Sequence, residues 1–269
     1  MIEPAVSKYD ILGVLVDAVT PQQAVDRVME AARARTRYSV TALAVHGVMT
    51  GVDDAEQRYR LNHFDLVTPD GQPVRWALNR LYGCGLDERV YGPTLMRDLC
   101  AQAAREQLPI ALYGSTPDVL EKLATNLCNE FADLQIVGAW PSQFRTGTDS
   151  QADAAADLIA AAEPALVFVG LGCPRQEQFV YELGERIGVP TLAVGAAFEY
   201  HAGVTTEPPK WMQDAGLQWL HRLAADPRRL AHRYLVLSAR YAGLIARQAA
   251  GRTAPQSVAV APARRINNL

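Results

Sequence analysis

The sequence predicts an α/β protein in which a mostly parallel sheet carries helices on both faces and a helical appendage follows at the C-terminal end. Two observations carry this expectation. Short apolar strand patterns alternate with helical patterns through the first 203 residues, the order from which parallel sheets are built. After Gly203 the strand patterns stop, and Pro208, Pro209 and Pro227 punctuate segments of helical spacing. The expected division is a body over 1–203, an appendage over 204–250, and a tail over 251–269 whose Ala, Pro and Val mixture predicts disorder.

The elements follow in order. Ile11 to Val16 reads as one strand, and Thr20-Pro21 opens a helix with Ala24, Val28 and Ala31 on one side. Ser39 to Val45 is the next strand, Val48 to Leu61 a helix, and Leu66-Val67 a short strand leading into Thr68, Pro69, Asp70 and Gly71. Gln72 to Tyr82 is helical with Pro73 in its first turn, where a missing N–H costs nothing. Thr94 to Glu106 is helical. A strand over Ile110 to Tyr113 then ends at Gly114, and Ser115, Thr116 and Pro117 open a helix reaching Phe131. Leu134 to Val137 is a strand, Pro141 to Ser150 a loop, and Ala152 to Ala162 a helix. The strands Ala165 to Val169 and Thr191 to Val194 complete the sheet.

Those last two strands end in polar residues. Gly170, Gly172 and Pro174 precede Arg175, Gln176 and Glu177, and Gly195 precedes Phe198, Glu199, Tyr200 and His201. Open α/β sheets bind ligands beyond the carboxyl ends of their strands. Glycines there allow close backbone approach, and a helix N-terminus favours an anion. Ordinary strand-to-helix turn chemistry accounts for the same residues, because a lone Gly-x-Gly carries little information.

Charge is unevenly placed. From Trp219 onward nine arginines (222, 228, 229, 233, 240, 247, 252, 264 and 265) face one acid, Asp226, a balance of +8; the net charge of −3 leaves −11 for the first 218 residues. A basic end on an acidic body predicts a negatively charged partner surface. Leu230, Tyr234, Leu237, Tyr241 and Leu244 recur at helical steps beside Arg229, Arg233, Arg240 and Arg247, the pattern of a basic amphipathic helix. The same pattern suits a helix packed on its own body with a solvated arginine flank. Cys84, Cys100, Cys128 and Cys173 form no Cys-x-x-Cys pair and read as packing residues. No apolar run is long enough to span a bilayer, and the first ten residues lack the regions of a signal peptide. A cytoplasmic location is expected.

Several segments converge on one family: Thr68-Pro69-Asp70-Gly71, Glu88 to Gly92, Val169 to Glu177, Val194 to Glu199, Trp211-Met212, Gly216 to Leu223, Asp226 to Arg229 and Arg233-Tyr234. In order and spacing the chain resembles the bacterial WecG/TagA/CpsF glycosyltransferases across roughly residues 10 to 245. The resemblance implies a Rossmann-like body whose C-terminal helical appendage docks on the inner face of the cell membrane and helps complete the active site. It implies inverting, metal-independent transfer of a hexose or N-acetylhexosamine from a UDP-sugar to a polyprenyl-diphosphate-linked sugar. No cofactor is expected, and neither is a nucleic-acid partner; a homo-oligomer is left open. The chain contains no Asp-x-Asp pair to hold a cation on the donor diphosphate.

The resemblance implies roles residue by residue. Asp70 matches the family's general base, although Pro-Asp-Gly is also a favoured turn. Gln176 matches a substrate-binding glutamine, and Thr68 falls in the same motif as Asp70. Arg89 is a candidate diphosphate ligand, or a surface arginine beside Asp87 and Glu88. Gly114, Gly170, Gly172, Arg175 and Glu199 are assigned to the nucleotide side, Glu199 standing where the family usually has aspartate. Arg222, Arg229, Arg233 and Arg240 are assigned to the membrane or the acceptor diphosphate.

Two positions depart from the family. Ala44-Val45-His46 replaces Thr-x-Asn, and Glu207-Pro208-Pro209 replaces Arg-Ala-Pro. His46 is a candidate sugar contact, an alternative base, or a structural histidine. These departures keep open a non-catalytic sugar-nucleotide-binding protein or partner subunit. A nicotinamide-dependent oxidoreductase is disfavoured because no Gly-x-Gly-x-x-Gly follows the first strand.

Overall fold

The structure, a computed structural model, describes residues 7–142, 149–225 and 232–251. The elements run β1 (Lys8–Ile11), β2 (Val14–Asp17), α1 (Pro21–Ala34), β3 (Tyr38–Leu43), α2 (Val45–Asp53), α3 (Ala55–Asn62), β4 (Leu66–Pro69), α4 (Gln72–Tyr82), α5 (Gly92–Arg105), β5 (Ile110–Gly114), α6 (Pro117–Glu130), β6 (Ile136–Trp140), α7 (Asp149–Ala161), β7 (Leu166–Gly170), α8 (Arg175–Ile187), β8 (Pro190–Ala193) and α9 (Ala197–His201). They continue through α10 (Lys210–Asp214), α11 (Gln218–Ala225), a π-helical segment (His232–Leu237) and α12 (Ser238–Ala249).

Six strands form one parallel sheet in the order β4-β3-β8-β7-β5-β6. Alternation along each strand sends side chains to two separate cores. Leu43, Val67, Val167, Val169 and Ala193 pack on one face with residues of α2, α3, α4, α7 and α8. Val40, Leu66, Leu166, Phe168 and Leu192 pack on the other with residues of α1, α5, α6 and α9. Both faces are covered, which explains why β7 reads as an unbroken apolar run. Each such valine, leucine or phenylalanine side chain contributes about 1.5–3 kcal/mol on burial.

The expected strand over Ile11 to Val16 is instead an antiparallel hairpin. Leu12 and Gly13, both at positive φ (58° and 89°), turn β1 back onto β2 with Ile11 opposite Val14. Positive φ at both central residues is the two-residue hairpin geometry, and here leucine holds the position that Asn or Gly usually takes. The hairpin lies outside the six-stranded sheet and packs on the same core as α2, α3 and α4. The expected single helix over Val48 to Leu61 is two helices, because Asp54 is extended and its carboxylate accepts from the amides of Glu56 and Gln57, capping α3.

The C-terminal end is tied into the body. Tyr241 of α12 is 3% exposed and belongs to the first core, with Leu244 and Ile245 packed against it. Its hydroxyl donates to the carbonyl of Pro73 at 3.3 Å, and Gln248 bonds to both Leu12 and Asp10 of the hairpin. The apolar stripe expected in this segment thus covers the body at Tyr241 and Leu244. Residues 226–231, with Arg228, Arg229 and Leu230, lie outside the described residues, as does the expected tail from residue 252 onward. No helix among the described residues is long and apolar enough to cross a membrane.

Candidate functional site

The carboxyl ends of β3, β4, β7 and β8 form the rim at which the site is built. Beyond β4, the amide of Asp70 donates to the Leu43 carbonyl at 3.2 Å, holding the turn against β3. The loop between α4 and α5 grips that turn from the other side. Val90 donates to the Pro69 carbonyl at 3.1 Å, and the Gly92 amide donates to Oδ1 of Asp70 at 3.2 Å. The Asp70 carboxylate is thereby aimed by a main-chain donor at the first residue of α5. The space beside Gly92 is tight: an added Cβ would lie 3.3 Å from Cβ of Ala42 and 3.4 Å from the Val194 carbonyl.

Asp70 opens onto a cleft of about 410 Å³. One wall is Ala44, Val45 and His46 at the start of α2; another is Gln72, Pro73 and Trp76 of α4. Arg89 and Tyr91 supply the third side, while Gly216, Gln218, Trp219, Ser238 and Ala239 close it from the C-terminal helices. Asp70 and His46 therefore line one cavity. Ala44 is the N-cap residue of α2 and makes no side-chain capping bond, at a position where a hydroxyl cap contributes about 0.5–2 kcal/mol.

Arg89 is placed differently from a surface arginine. Its Nη1 donates to the Asp70 carbonyl (3.3 Å) and to Oε1 of Gln218 (2.6 Å), and Nη2 donates to Oε1 of Gln213 (3.2 Å). The guanidinium carbon lies 4.2 Å from the Tyr91 ring centroid, close enough for cation–π attraction. Gln218 Nε2 donates in turn to the Tyr91 hydroxyl at 2.7 Å, and Gln213 Nε2 to the Pro208 carbonyl at 2.9 Å. Burial pushes the Tyr91 phenol up from its ordinary value. The sequence singled out none of Tyr91, Gln213 and Gln218, although Tyr91 and Gln218 lie in the segments that carry the resemblance.

Gln176 sits at the neighbouring strand ends, in the first turn of α8. It is 3% exposed, its Nε2 donates to Oε1 of Glu177 at 2.9 Å, and its Oε1 makes no hydrogen bond. That oxygen faces the turn at Gly195, where an added Cβ would stand 3.4 Å away. Glu177 is 1% exposed and also accepts from the Thr41 hydroxyl at 3.1 Å. Burial raises its carboxyl above the ordinary glutamate value. Cys173, just before α8, lies 3.9 Å from the Thr50 hydroxyl of α2, so the loop of Gln176 packs beside the helix of His46.

The other assigned residues spread along the rim. Thr68 is fully buried and its hydroxyl donates to the Thr41 carbonyl at 3.4 Å, inside the sheet. Gly114 and Gly170 meet across β5 and β7, where an added Cβ on Gly114 would lie 2.7 Å from the Gly170 backbone. Gly172 turns at φ 77° before α8, Arg175 begins α8, and Glu199 lies half-buried in α9. Arg240 pairs with Asp53 of α2 at 2.6 Å, both partly exposed. Arg222 lies in α11 and Arg233 in the π-helical segment; Arg229 falls outside the described residues. Among the described residues no group of three His, Cys, Asp or Glu side chains could hold a metal ion.

The Glycosyl transferase WecG/TagA/CpsF family model matches residues 9–255 of the chain, a span that takes in the sheet, the cleft and the C-terminal helices together. The chain belongs to this family. This WecG/TagA/CpsF member is accordingly a glycosyltransferase of cell-surface polysaccharide synthesis, a class that joins a sugar donor to a lipid-linked acceptor. Its Rossmann-like sheet and its C-terminal helices agree with the expected fold.

Proposed function

We propose that this chain transfers a hexose or N-acetylhexosamine from a UDP-sugar to a sugar carried on a polyprenyl diphosphate, with inversion at the anomeric carbon and Asp70 as general base. The observation that carries the reading is the Asp70 carboxylate, held by the Gly92 amide at the mouth of a cleft that the C-terminal helices help to wall. In this reading the acceptor hydroxyl passes its proton to Asp70 as its oxygen bonds to the anomeric carbon. The bond from that carbon to the donor phosphate oxygen breaks, and UDP leaves with the electron pair. The guanidinium of Arg175, at the start of α8, suits the charge that develops on the diphosphate. Gln176 and His46 contact sugar hydroxyls, for which an amide and an imidazole can each donate or accept.

The acceptor arrives from a membrane. Of the ten large apolar side chains that stand exposed among the described residues, five lie between Trp211 and Val236 (Trp211, Trp219, Leu220, Leu235 and Val236). Exposed tryptophan and leucine beside an arginine excess suit the interface of an anionic leaflet. The test is a panel of UDP-sugars offered with a polyprenyl-diphosphate-sugar acceptor and read by product mass. The expected result is a lipid product one sugar heavier and an equal amount of UDP, both lost in Asp70→Ala. Transfer that persists undiminished in Asp70→Ala would remove Asp70 as the base.

A further inference from the structure

Arg89 reaches two parts of the chain that are far apart in sequence. Its partners Gln213 and Gln218 lie 124 and 129 residues away, while its third acceptor is the main-chain carbonyl of Asp70 itself. The same short loop supplies the Gly92 amide that aims the Asp70 carboxylate. One guanidinium thus spans the turn that carries the carboxylate and the wall that closes the cleft.

The glutamines are themselves oriented for this. Gln213 turns its amide nitrogen to Pro208 and Gln218 turns its own to Tyr91, leaving both amide oxygens on Arg89. The Tyr91 ring stacks on the guanidinium that Gln218 also binds, so each member of the group fixes the next. A second contact brings the same wall down: Gly216 turns at φ 71°, and an added Cβ there would meet the Trp76 ring at 2.7 Å. Gln72 Nε2 reaches the Gln213 carbonyl at 3.5 Å.

We propose that Arg89 is a positioning residue, a latch that docks α10 and α11 against the cleft and sets the Asp70 turn in the same act. A planar guanidinium with several fixed donors can hold a carbonyl and two amide oxygens at once; an ammonium on a flexible stem cannot reproduce that fork. The catalytic part of this inference rests on the glycosyl-transfer reading above. The docking part does not. The latch acts on the geometry in which the base meets its substrate, so its loss lowers turnover more than donor affinity.

The experiment uses the full chain, with Arg89→Lys, Arg89→Met and the double variant Gln213→Leu/Gln218→Leu. Hydrogen exchange of backbone amides over 210–225 is compared with exchange in β7, and kcat and donor KM are measured for the best UDP-sugar. The latch predicts exchange over 210–225 faster by about tenfold or more in all three variants with β7 unchanged. It also predicts a fall in kcat with donor KM within about twofold. Unchanged exchange over 210–225 overturns the proposal. So does a kinetic pattern in which Arg89→Lys and the glutamine variant are near normal while Arg89→Met raises donor KM, since that marks a simple phosphate ligand. If Arg89→Met loosens β7 as well, the glutamine variant, which keeps Arg89, decides the matter. If no UDP-sugar is turned over by the unmodified chain, the glycosyl-transfer reading fails while the exchange data still decide the docking.

Discussion

The main-chain amide of Gly92 donates to the carboxylate of Asp70 across 3.2 Å. A fixed donor on one oxygen orients the carboxylate without supplying a proton for it to share, which is what a general base at a strand end requires. Asp70→Asn keeps an oxygen for Gly92 and removes the base. The expected outcome is a loss of about 10²–10⁴ in kcat with an unchanged melting temperature, read by product mass and thermal unfolding. Retained turnover would show that another group, His46 first among the cleft residues, takes the proton.

Gly170 is glycine for packing reasons that the structure makes explicit. A Cβ there would stand 2.5 Å from the ring of Phe198, which is itself 1% exposed and cannot swing away. Gly170→Ala is expected to cost about 1–3 kcal/mol by overpacking, seen as a lower denaturant midpoint with unchanged m-value. Adding Phe198→Leu should recover part of that loss. If the double variant is as unstable as the sum of the singles, the ring contact is not the cause.

Glu177 links stability to pH. Burial raises its folded-state pKa above the ordinary glutamate value. A carboxyl raised in this way contributes stability that is complete below the unfolded pKa and is lost as pH rises through the elevated folded value. Unfolding free energy should therefore fall for the unmodified chain, relative to Glu177→Gln, as pH climbs from the ordinary carboxylate range. The glutamine variant still accepts from Gln176 and Thr41 through its oxygen. Denaturant titrations of both proteins at several pH values read the difference, and parallel curves would show that burial leaves this carboxyl at its ordinary value.

The sheet was legible because its strands are buried on both faces. Val167, Phe168 and Val169 must all be apolar when successive residues enter different cores. The hairpin was not legible for a related reason: Ile11, Leu12, Val14 and Val16 are all buried, so no polar residue marks the turn, and leucine at φ 58° is an unusual occupant. The cleft was half legible. Asp70 and His46 lie just beyond the adjacent strands β4 and β3, and strand ends can be read locally. Arg89 stands beside Asp87 and Glu88 in sequence, which suggests a solvated charge cluster, while its two side-chain hydrogen-bond partners come from over 120 residues downstream. Thr68 belongs to the Asp70 motif, yet period-two alternation turns its hydroxyl to β3.

Membrane association is best tested by substitution, because truncation would disturb the core as well. Removing the C-terminal segment also removes Tyr241, Leu244 and Ile245 from the core of the body, and Tyr241→Ala alone is expected to cost about 3–5 kcal/mol. Trp211 and Leu235, 64% and 58% exposed, have apolar surface to lose without a core to disturb. Trp211→Ser/Leu235→Ser should weaken sedimentation with anionic liposomes by about tenfold or more, since burying each such side chain contributes about 1.5–3 kcal/mol at most. The melting temperature should not change. The arginine contribution should separate from this one by salt, because attraction to anionic headgroups is screened as ionic strength rises while apolar insertion is not. The relative loss of affinity with salt should then be the same for the double variant and the unmodified chain, the variant being weaker by a constant factor at every ionic strength. Equal liposome binding by both proteins at every salt concentration would remove these side chains from the docking surface.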